Sequence, residues 1–272
     1  MKYFSKIYLI LIFGILYIPI LTLILFSFNA ANSTAVFEGF SLRWYVELFN
    51  SPGTFEALRN TLILAILSSL IATVIGTAAA EGIYKMRSKF IKGAVTSVTN
   101  VPMMNPDIVT GMSMMLFFVA VAAILGVTYE DMGFFAMLIS HVTFCLPYVI
   151  LSVLPRINEL GDSLSEAALD LGCTPVQAFF KVKLPNIMPG VLSGMVMAFT
   201  MSLDDFVISY FVGSSNFQTL PLLIYSMTKK KVTPDMYALS TLIVVTIFIL
   251  LIISNFKSGK KVTKSKGAGV KK

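Results

Sequence analysis

The feature that most constrains this chain is a series of apolar runs longer than a soluble helical protein can bury. They cover residues 7–28, 61–84, 107–126, 133–155, 187–212 and 237–256. Each reaches the roughly 20 residues that cross a hydrocarbon core, whereas the apolar runs of a soluble helix stay near 10–14 residues. The six runs therefore predict an all-α, polytopic membrane protein with six transmembrane helices.

The composition also favours a membrane protein. The chain has 272 residues, of which 56% are hydrophobic and 13% are charged, and its mean hydropathy is +0.83. A soluble domain carries charge on about a quarter of its residues. The first run follows two lysines, as in a signal peptide, but exceeds the roughly 7–15 apolar residues of a typical signal core. We expect the first helix, residues 7–28, to be retained.

The distribution of lysine and arginine predicts the orientation of the chain. With six spans and an inner N-terminus, sixteen of the 21 basic residues fall on the inner side. The outer segments then hold Arg43, Arg59 and the lysines at 229–231. Cytoplasmic loops carry the excess of positive charge, so both termini are predicted to be cytoplasmic in a bacterial inner membrane.

Seven lysines lie in the basic tail, residues 257–272, directly after the last predicted span. A basic segment in this position is explained by attraction to anionic lipid headgroups. Its lysine, glycine and serine content also predicts disorder. The overall charge of +7 is therefore not taken to indicate a nucleic-acid partner.

The cytoplasmic segment between the fourth and fifth predicted spans, residues 156–186, carries helix signals of its own. Ser163 and Glu166 have the spacing of a capping box, in which a hydroxyl and a carboxylate satisfy backbone N–H groups at a helix start. The helix is expected to end at Gly172, because glycine readily adopts the left-handed conformation of a C-terminal cap.

A second short helix is predicted directly after the first. Thr174 is expected as its N-cap, with Pro175 at the first helical position and Gln177 at the third. The helix should present aromatic side chains and then break at a Leu-Pro pair: Phe179, Phe180, Leu184 and Pro185. Exposed aromatic side chains on such a loop need a partner to cover them.

This loop resembles the EAA loop of binding-protein-dependent ABC importer permeases. The pattern of that family is Glu-Ala-Ala, three variable residues, Gly, nine variable residues, and then Ile or Val, one variable residue, Leu and Pro. Every element is present here: Glu166, Ala167, Ala168, Gly172, Val182, Leu184 and Pro185. The resemblance implies the type I importer permease fold, with a first helix that clasps a partner and a five-helix core over residues 61–256. It also implies that the loop docks on an ATPase subunit.

The same resemblance implies the partners of the chain. They are a second permease subunit, a dimer of ATPase subunits, an extracytoplasmic substrate-binding protein and the lipid bilayer. No Walker-type G-x-x-x-x-G-K-[ST] loop occurs in the sequence. The chain is therefore expected to be a transporter subunit and not an enzyme. ATP and magnesium are expected on the ATPase subunit, with no cofactor or metal on this chain.

Two adjacent acids, Asp204 and Asp205, are the residues most informative about substrate. A helix starting at Ile187 would place them about 26 Å along the fifth span. A carboxylate facing lipid at mid-depth would cost about 2.5–3.5 kcal/mol, so both should face the protein interior or a wet cavity. Adjacent helical residues project about 100° apart. One acid is therefore expected to line the path and the other to hold a neighbouring helix, in an order that the sequence leaves open.

Asp205 shares its helical stripe with small residues suited to close helix packing. These are Gly194, Ala198, Ser202 and Ser209. One interpretation of the two acids is structural, with both carboxylates bonded to neighbouring spans. The other places them on the path of a cationic substrate.

A second resemblance favours the cationic substrate. Ser202-Leu-Asp204-Asp205, followed by Thr219-Leu-Pro221 and the segment 224–227, is similar to the second (C-type) permease of spermidine/putrescine importers. Polyamines are flexible polycations, and carboxylates and aromatic faces bind such cations. The resemblance thus implies a polyamine permease, without indicating whether spermidine or putrescine is preferred. The candidate pathway residues are Asp204, Asp205, Ser202 and Asp107.

Three other polar residues in or near the spans have local explanations. Asp107 follows Asn105 and Pro106 and is expected in the first turn of a helix, where an acid is favourable, or near an inner gate. His141, the only histidine, is expected to be a satisfied interior residue. Glu81 is expected to pair with Lys85.

Other functions explain less of the sequence. A passive channel or a secondary transporter would account for the spans and the acids but not for the EAA loop. An ABC permease for another small solute would keep the loop without requiring Asp204 and Asp205. A membrane-assembly or signalling scaffold would need soluble appendages.

Overall fold

The computed structural model describes residues 2–31, 36–215, 217–229, 235–246 and 248–249. In this part of the chain, extended pairing is limited to two isolated bridges, Asn29–Phe40 and Ser214–Phe217. The prediction of an all-α fold is confirmed.

The helices follow one another along the described chain with short connections. They are α1 (Lys2–Ser27), α2 (Arg43–Asn50), α3 (Pro52–Lys85), α4 (Lys89–Met104), α5 (Asp107–Leu125), α6 (Gly133–Leu160), α7 (Ser163–Asp170), α8 (Pro175–Ala178), α9 (Leu184–Leu203), α10 (Val207–Val212), α11 (Leu220–Thr228) and α12 (Asp235–Thr246). A 3₁₀ turn, Tyr129–Met132, precedes α6, and a π turn, Phe179–Lys183, joins α8 to α9.

Five described helical segments are long and apolar enough to cross a membrane. They are Lys6–Ser27, Pro52–Lys85, Asp107–Leu125, Tyr129–Leu160 and Pro175–Leu203. Of the sixth predicted run, residues 237–256, the structure describes 237–246, within α12, and 248–249, which are also helical, and the rest lies outside the described residues. The basic tail, residues 257–272, lies outside the described residues.

The chain forms two compact units. The first comprises residues 1–58 and 220–253. In it the apolar side chains of α1 are mostly exposed, and the indole of Trp44 donates to the Asn29 carbonyl at 2.7 Å. Leu48, Ala57, Leu220 and Leu239 form its small buried core.

The second unit contains residues 59–219 and holds the main core. Its centre is α6, which packs along α9 and has fourteen buried residues. Val149, Val153 and Ile157 of α6 are fully buried together with Ile187 and Ala198 of α9. In the same unit α5 packs against α10.

Glycine allows α6 and α9 to approach closely. A Cβ atom at Gly190 would lie 2.9 Å from the backbone oxygen of Ser152, and one at Gly194 would lie 3.1 Å from the Cα atom of Val149. Both contacts involve backbone atoms, which cannot rotate away. The small-residue stripe predicted on the fifth span is therefore the surface that packs on α6, with Gly194, Ala198 and Ser202 buried.

The structure corrects the predicted fifth span, residues 187–212. The helix begins at Leu184, ends at Leu203 and resumes as α10 at Val207. The intervening residues, 204–206, interrupt it. The apolar pattern continues across the interruption, because both segments lie within the same core, so hydropathy alone did not reveal it.

Adding a methyl group at the α6–α9 contact should destabilise the protein. We expect Gly190→Ala to lower the free energy of unfolding by about 1–3 kcal/mol, since overpacking displaces backbone. The measurement is the thermal stability of the purified protein in detergent. Gly82→Ala is the matched control, because no heavy atom lies within 4 Å of a Cβ atom there. Equal stability of the two variants would contradict the packing.

Candidate functional site

The loop after α6 forms two short helices joined by a tight turn. The first, α7, has Asp162 as its N-cap, whose carbonyl accepts from the Glu166 N–H at 2.9 Å, and no side chain caps it. Ser163 is thus the first helical residue, and the predicted capping box is wrong. α6 runs to Leu160, Gly161 turns the chain with φ +67°, and α7 follows directly with Asp162, one residue earlier than predicted, at its N-cap.

The end of α7 is formed as predicted at Gly172. This residue has φ +85°, its N–H donates to Leu169 O at 2.9 Å, and the Cys173 N–H donates to Ala168 O at 3.0 Å. These two bonds form a Schellman motif, which satisfies carbonyl groups at the helix end. A Cβ atom at Gly172 would meet nothing within 4 Å, so only the backbone conformation requires glycine.

The start of α8 also follows the prediction. The Thr174 hydroxyl accepts from the Gln177 N–H at 3.3 Å, and the Gln177 side-chain oxygen accepts from the Thr174 N–H at 3.2 Å. This reciprocal pair is a capping box.

The predicted break near Leu184 and Pro185 is wrong. The π turn, residues 179–183, carries the chain from α8 directly into α9, whose first turn contains Pro185. Pro185 lies at one of the first two positions of α9, directly after the bond from the Leu184 N–H to the Phe179 carbonyl that closes the π turn. The second loop helix is therefore joined to the fifth span by continuous helix, Pro175–Leu203.

Five large apolar side chains of this loop are exposed, and three of them are more than half exposed. Leu171 is 86% exposed, Val176 is 66% exposed and Phe180 is 60% exposed, and we refer to them as the apolar loop face. Glu166 and Ala167 are also exposed, whereas Phe179 is half-buried and Ala168 is buried. Apolar side chains clustered on an exposed loop mark an interaction surface.

A buried ion pair at the base of the loop was missed by the sequence reasoning. The Lys183 Nζ atom lies 3.0 Å and 2.8 Å from the two carboxylate oxygens of Glu81, and its side chain is only 3% exposed. The expected pair of Glu81 with Lys85 is also present, at 3.1 Å. Only Lys85 was foreseen, because it lies one helical turn away, whereas Lys183 lies 102 positions further along the chain.

The second candidate site surrounds the interruption between α9 and α10. His141 of α6 is fully buried. Its Nδ1 atom lies 2.7 Å from the Ser202 hydroxyl, and its Nε2 atom lies 3.3 Å from the Ser209 hydroxyl and 3.5 Å from an Asp205 carboxylate oxygen. The Ser68 hydroxyl of α3 donates to Ser202 at 2.9 Å.

The chemistry of these groups indicates the histidine tautomer. A carboxylate only accepts hydrogen bonds, so the Nε2 atom facing Asp205 should carry the hydrogen and Nδ1 should accept from Ser202. The expected interior role of His141 is thereby confirmed. The cluster connects α3, α6, α9 and α10 at one depth.

The two acids predicted on the pathway have different surroundings. The Asp205 carboxylate accepts from the backbone N–H groups of Ile208 at 3.3 Å and Ser209 at 2.8 Å, and its side chain is 7% exposed. Asp205 therefore holds the start of α10. Asp204 ends α9 and is exposed.

The structure does not bring all four predicted pathway residues together. Ser202 is 2% exposed and belongs to the histidine cluster. Asp107 is exposed in the first turn of α5, one turn before Gly111, where α5 meets Phe211 of α10. Among the described contacts, no hydrogen bond or ion pair joins Asp107 to Asp204 or Asp205.

These features define a polytopic helical protein with an exposed apolar loop face and an acid at an interrupted span. Residues 72–258 match the family described as binding-protein-dependent transport system inner membrane component. The chain belongs to this family, and it is a multi-pass protein of the inner membrane.

Two curated relatives and one solved structure are similar over most of the chain. The putrescine transport system permease protein PotI of Escherichia coli K12 is 40% identical over 86% of this chain and 83% of its own length. The spermidine/putrescine transport system permease protein PotC of the same strain is 38% identical over 96% of this chain and 95% of its own length. A bacterial ABC transporter involved in alginate import has a TM-score of 0.76 at 18% identity, covering 95% of both chains, which shows the type I importer fold.

Removing the carboxylate that caps α10 should destabilise the protein. Asp205→Ala leaves two backbone N–H groups and His141 without their acceptor, which should cost about 1–3 kcal/mol. Thermal stability in detergent and the amount of inserted protein are the measurements. Asp204→Ala is the matched control and should keep stability close to that of the wild type. Similar losses in both variants would contradict the distinct roles of the two acids.

Proposed function

We propose that this chain is a permease subunit of an ATP-driven importer that moves polyamines from a binding protein into the cytoplasm. The observation that carries the proposal is its similarity, at 38% identity over 96% of the chain, to a permease named for spermidine and putrescine. Its partners are a second permease subunit, two ATPase subunits and an extracytoplasmic binding protein. Both termini lie in the cytoplasm, where the basic residues collect.

Asp204 is the acid that meets the substrate in this proposal. It is exposed at the interruption of the span, where the helix stops and the backbone is irregular. In membrane proteins, irregular backbone at membrane depth is tolerated where it is buried in protein or lines a water-filled cavity. A carboxylate in such a cavity stabilises an ammonium group of a passing polycation. Asp205 holds the backbone next to Asp204 in place through its contacts with His141 and the α10 backbone.

The EAA-like loop is the coupling element in this proposal. Leu171, Val176 and Phe180 seat against the ATPase subunit, with Glu166 and Ala167 exposed beside them. Gly172 fixes the angle between α7 and α8 through its left-handed backbone. Because α8 continues into α9, a displacement of the loop moves the fifth span with it.

Neutralising Asp204 should weaken transport more than assembly. Asp204→Asn keeps the volume of the side chain but removes its charge. A hydrogen bond to a charged group contributes about 1.5–3 kcal/mol, against about 1 kcal/mol for a neutral one. Import should therefore fall roughly two- to thirtyfold. The measurement is uptake of labelled spermidine and putrescine by the assembled complex in proteoliposomes.

Asp204→Glu is the control for this experiment, because it keeps the charge and should retain much of the import. Wild-type uptake by Asp204→Asn would remove Asp204 from the pathway. Failure of the wild-type complex to import either polyamine, with import of another solute, would favour the alternative that the importer serves a different substrate.

A side chain at Gly172 should disturb docking of the ATPase subunit. Gly172→Val forces a β-branched residue into a left-handed conformation that such residues rarely adopt. The strain should shift the turn and reduce the amount of ATPase subunit that copurifies with the permease. Gly126→Val imposes similar strain at φ +69° at the end of α5, also in open space, and serves as the matched control. Equal copurification in both variants would argue against the coupling role of the loop.

A further inference from the structure

The buried ion pair between Glu81 and Lys183 joins parts of the chain that have different tasks. Glu81 lies near the end of α3, and Lys183 is the last residue of the π turn between α8 and α9. Both carboxylate oxygens of Glu81 lie within 3.0 Å of the Lys183 Nζ atom. Charge-assisted contacts this short are roughly twice as strong as hydrogen bonds between neutral groups.

The surroundings of the pair restrict it further. The Lys183 Nζ atom lies 4.4 Å from the centre of the Tyr84 ring, a favourable cation–π distance. Lys92 of α4 lies over the same ring, 5.3 Å from its centre, and donates to the Tyr84 carbonyl at 3.5 Å. The end of α3, the start of α4 and the π turn therefore meet at one cluster of charges and one aromatic ring.

Lys183 lies in the segment that connects the loop to α9, so this cluster can transmit movement between them. The π turn is the only covalent connection from the apolar loop face to α9, so a displacement of α8 must pass through it. Lys183 ties the turn to α3, and the same displacement thereby acts on a second long helix. Chains of packed side chains and ion pairs between rigid helices are the structures that carry coupling between distant sites.

We propose that Glu81 and Lys183 form a positioning contact that transmits movement of the loop to α3 and thus couples ATP hydrolysis to import. The inference rests on the proposed coupling role of the loop and adds the contact through which that role is exerted. Neither residue touches substrate in this proposal. Their task is to keep the loop and the transmembrane core moving as one body.

A second explanation is that the pair contributes only to stability. Neutral replacements distinguish this explanation from a role in coupling. Removing one partner leaves an uncompensated buried charge and is strongly destabilising, whereas replacing both partners with uncharged residues of similar volume leaves no buried charge. The double variant Glu81→Gln/Lys183→Gln should therefore assemble. If the pair transmits movement, ATP hydrolysis in this variant should no longer be coupled to import.

The experiment uses the full complex with its ATPase subunits and loaded binding protein in proteoliposomes. It measures the number of ATP molecules hydrolysed per solute molecule imported, together with copurification of the ATPase subunit. In the double neutral variant we expect normal copurification and at least about a fivefold rise in ATP consumed per imported molecule. Lys85→Gln is the matched control, because Lys85 contacts the same carboxylate within α3 and is 65% exposed. Its coupling ratio should stay within about twofold of the wild type.

Several outcomes would overturn the proposal. A double neutral variant with the wild-type coupling ratio shows that the contact is dispensable. A double variant that does not assemble shows that the pair serves folding, and an equal effect of Lys85→Gln shows that only local charge matters. Loss of copurification in the Gly172 variant with an unchanged ratio in the double variant would leave the loop assignment intact and remove the contact with α3.

Discussion

A backbone that leaves the helical conformation among buried spans must find partners for its N–H and C=O groups without bulk water. The interruption at residues 204–206 meets this constraint through one carboxylate. The Asp205 carboxylate accepts hydrogen bonds from two backbone N–H groups at the start of α10 and faces a fully buried histidine. His141 in turn holds Ser202, on the last turn of α9. The position of Asp204 depends on this arrangement, because Asp205 and His141 fix the two helical ends between which Asp204 is exposed.

The helix α9 connects the two candidate sites. Its 20 residues span about 30 Å at 1.5 Å per residue, with the apolar loop face before its first turn and the interrupted segment after its last. Along this length it packs closely on α6, with Gly190 and Gly194 at the contact. The fold thus places an interaction surface and a pathway candidate at opposite ends of one rigid element.

The ends of this element are built by different kinds of interaction. At the loop, local backbone capping by Gly172, Thr174 and Gln177 sets the geometry, and one long-range ion pair, Glu81 with Lys183, attaches it to α3. At the interruption, Asp205 caps the start of α10 locally. The contacts of His141 with Ser202, Ser209 and Asp205, and of Ser68 with Ser202, are all long-range. Local capping depends on residues a few positions apart, whereas the buried polar cluster exists only when several helices are already packed.

The difference between local capping and long-range packing explains which features could be predicted from the sequence. It determined the membrane class, four of the spanning helices, the Schellman end at Gly172 and the capping box at Thr174, because hydropathy and capping depend on neighbouring residues. It also determined the family through the spacing of Glu166, Gly172 and Pro185. It could not separate Asp204 from Asp205, because both suit a buried or wet position, and their roles follow from where His141 lies. The pairing of Lys183 with Glu81 was likewise decided only by the tertiary structure, because a buried charge takes its partner from whatever helix packing brings within about 3 Å.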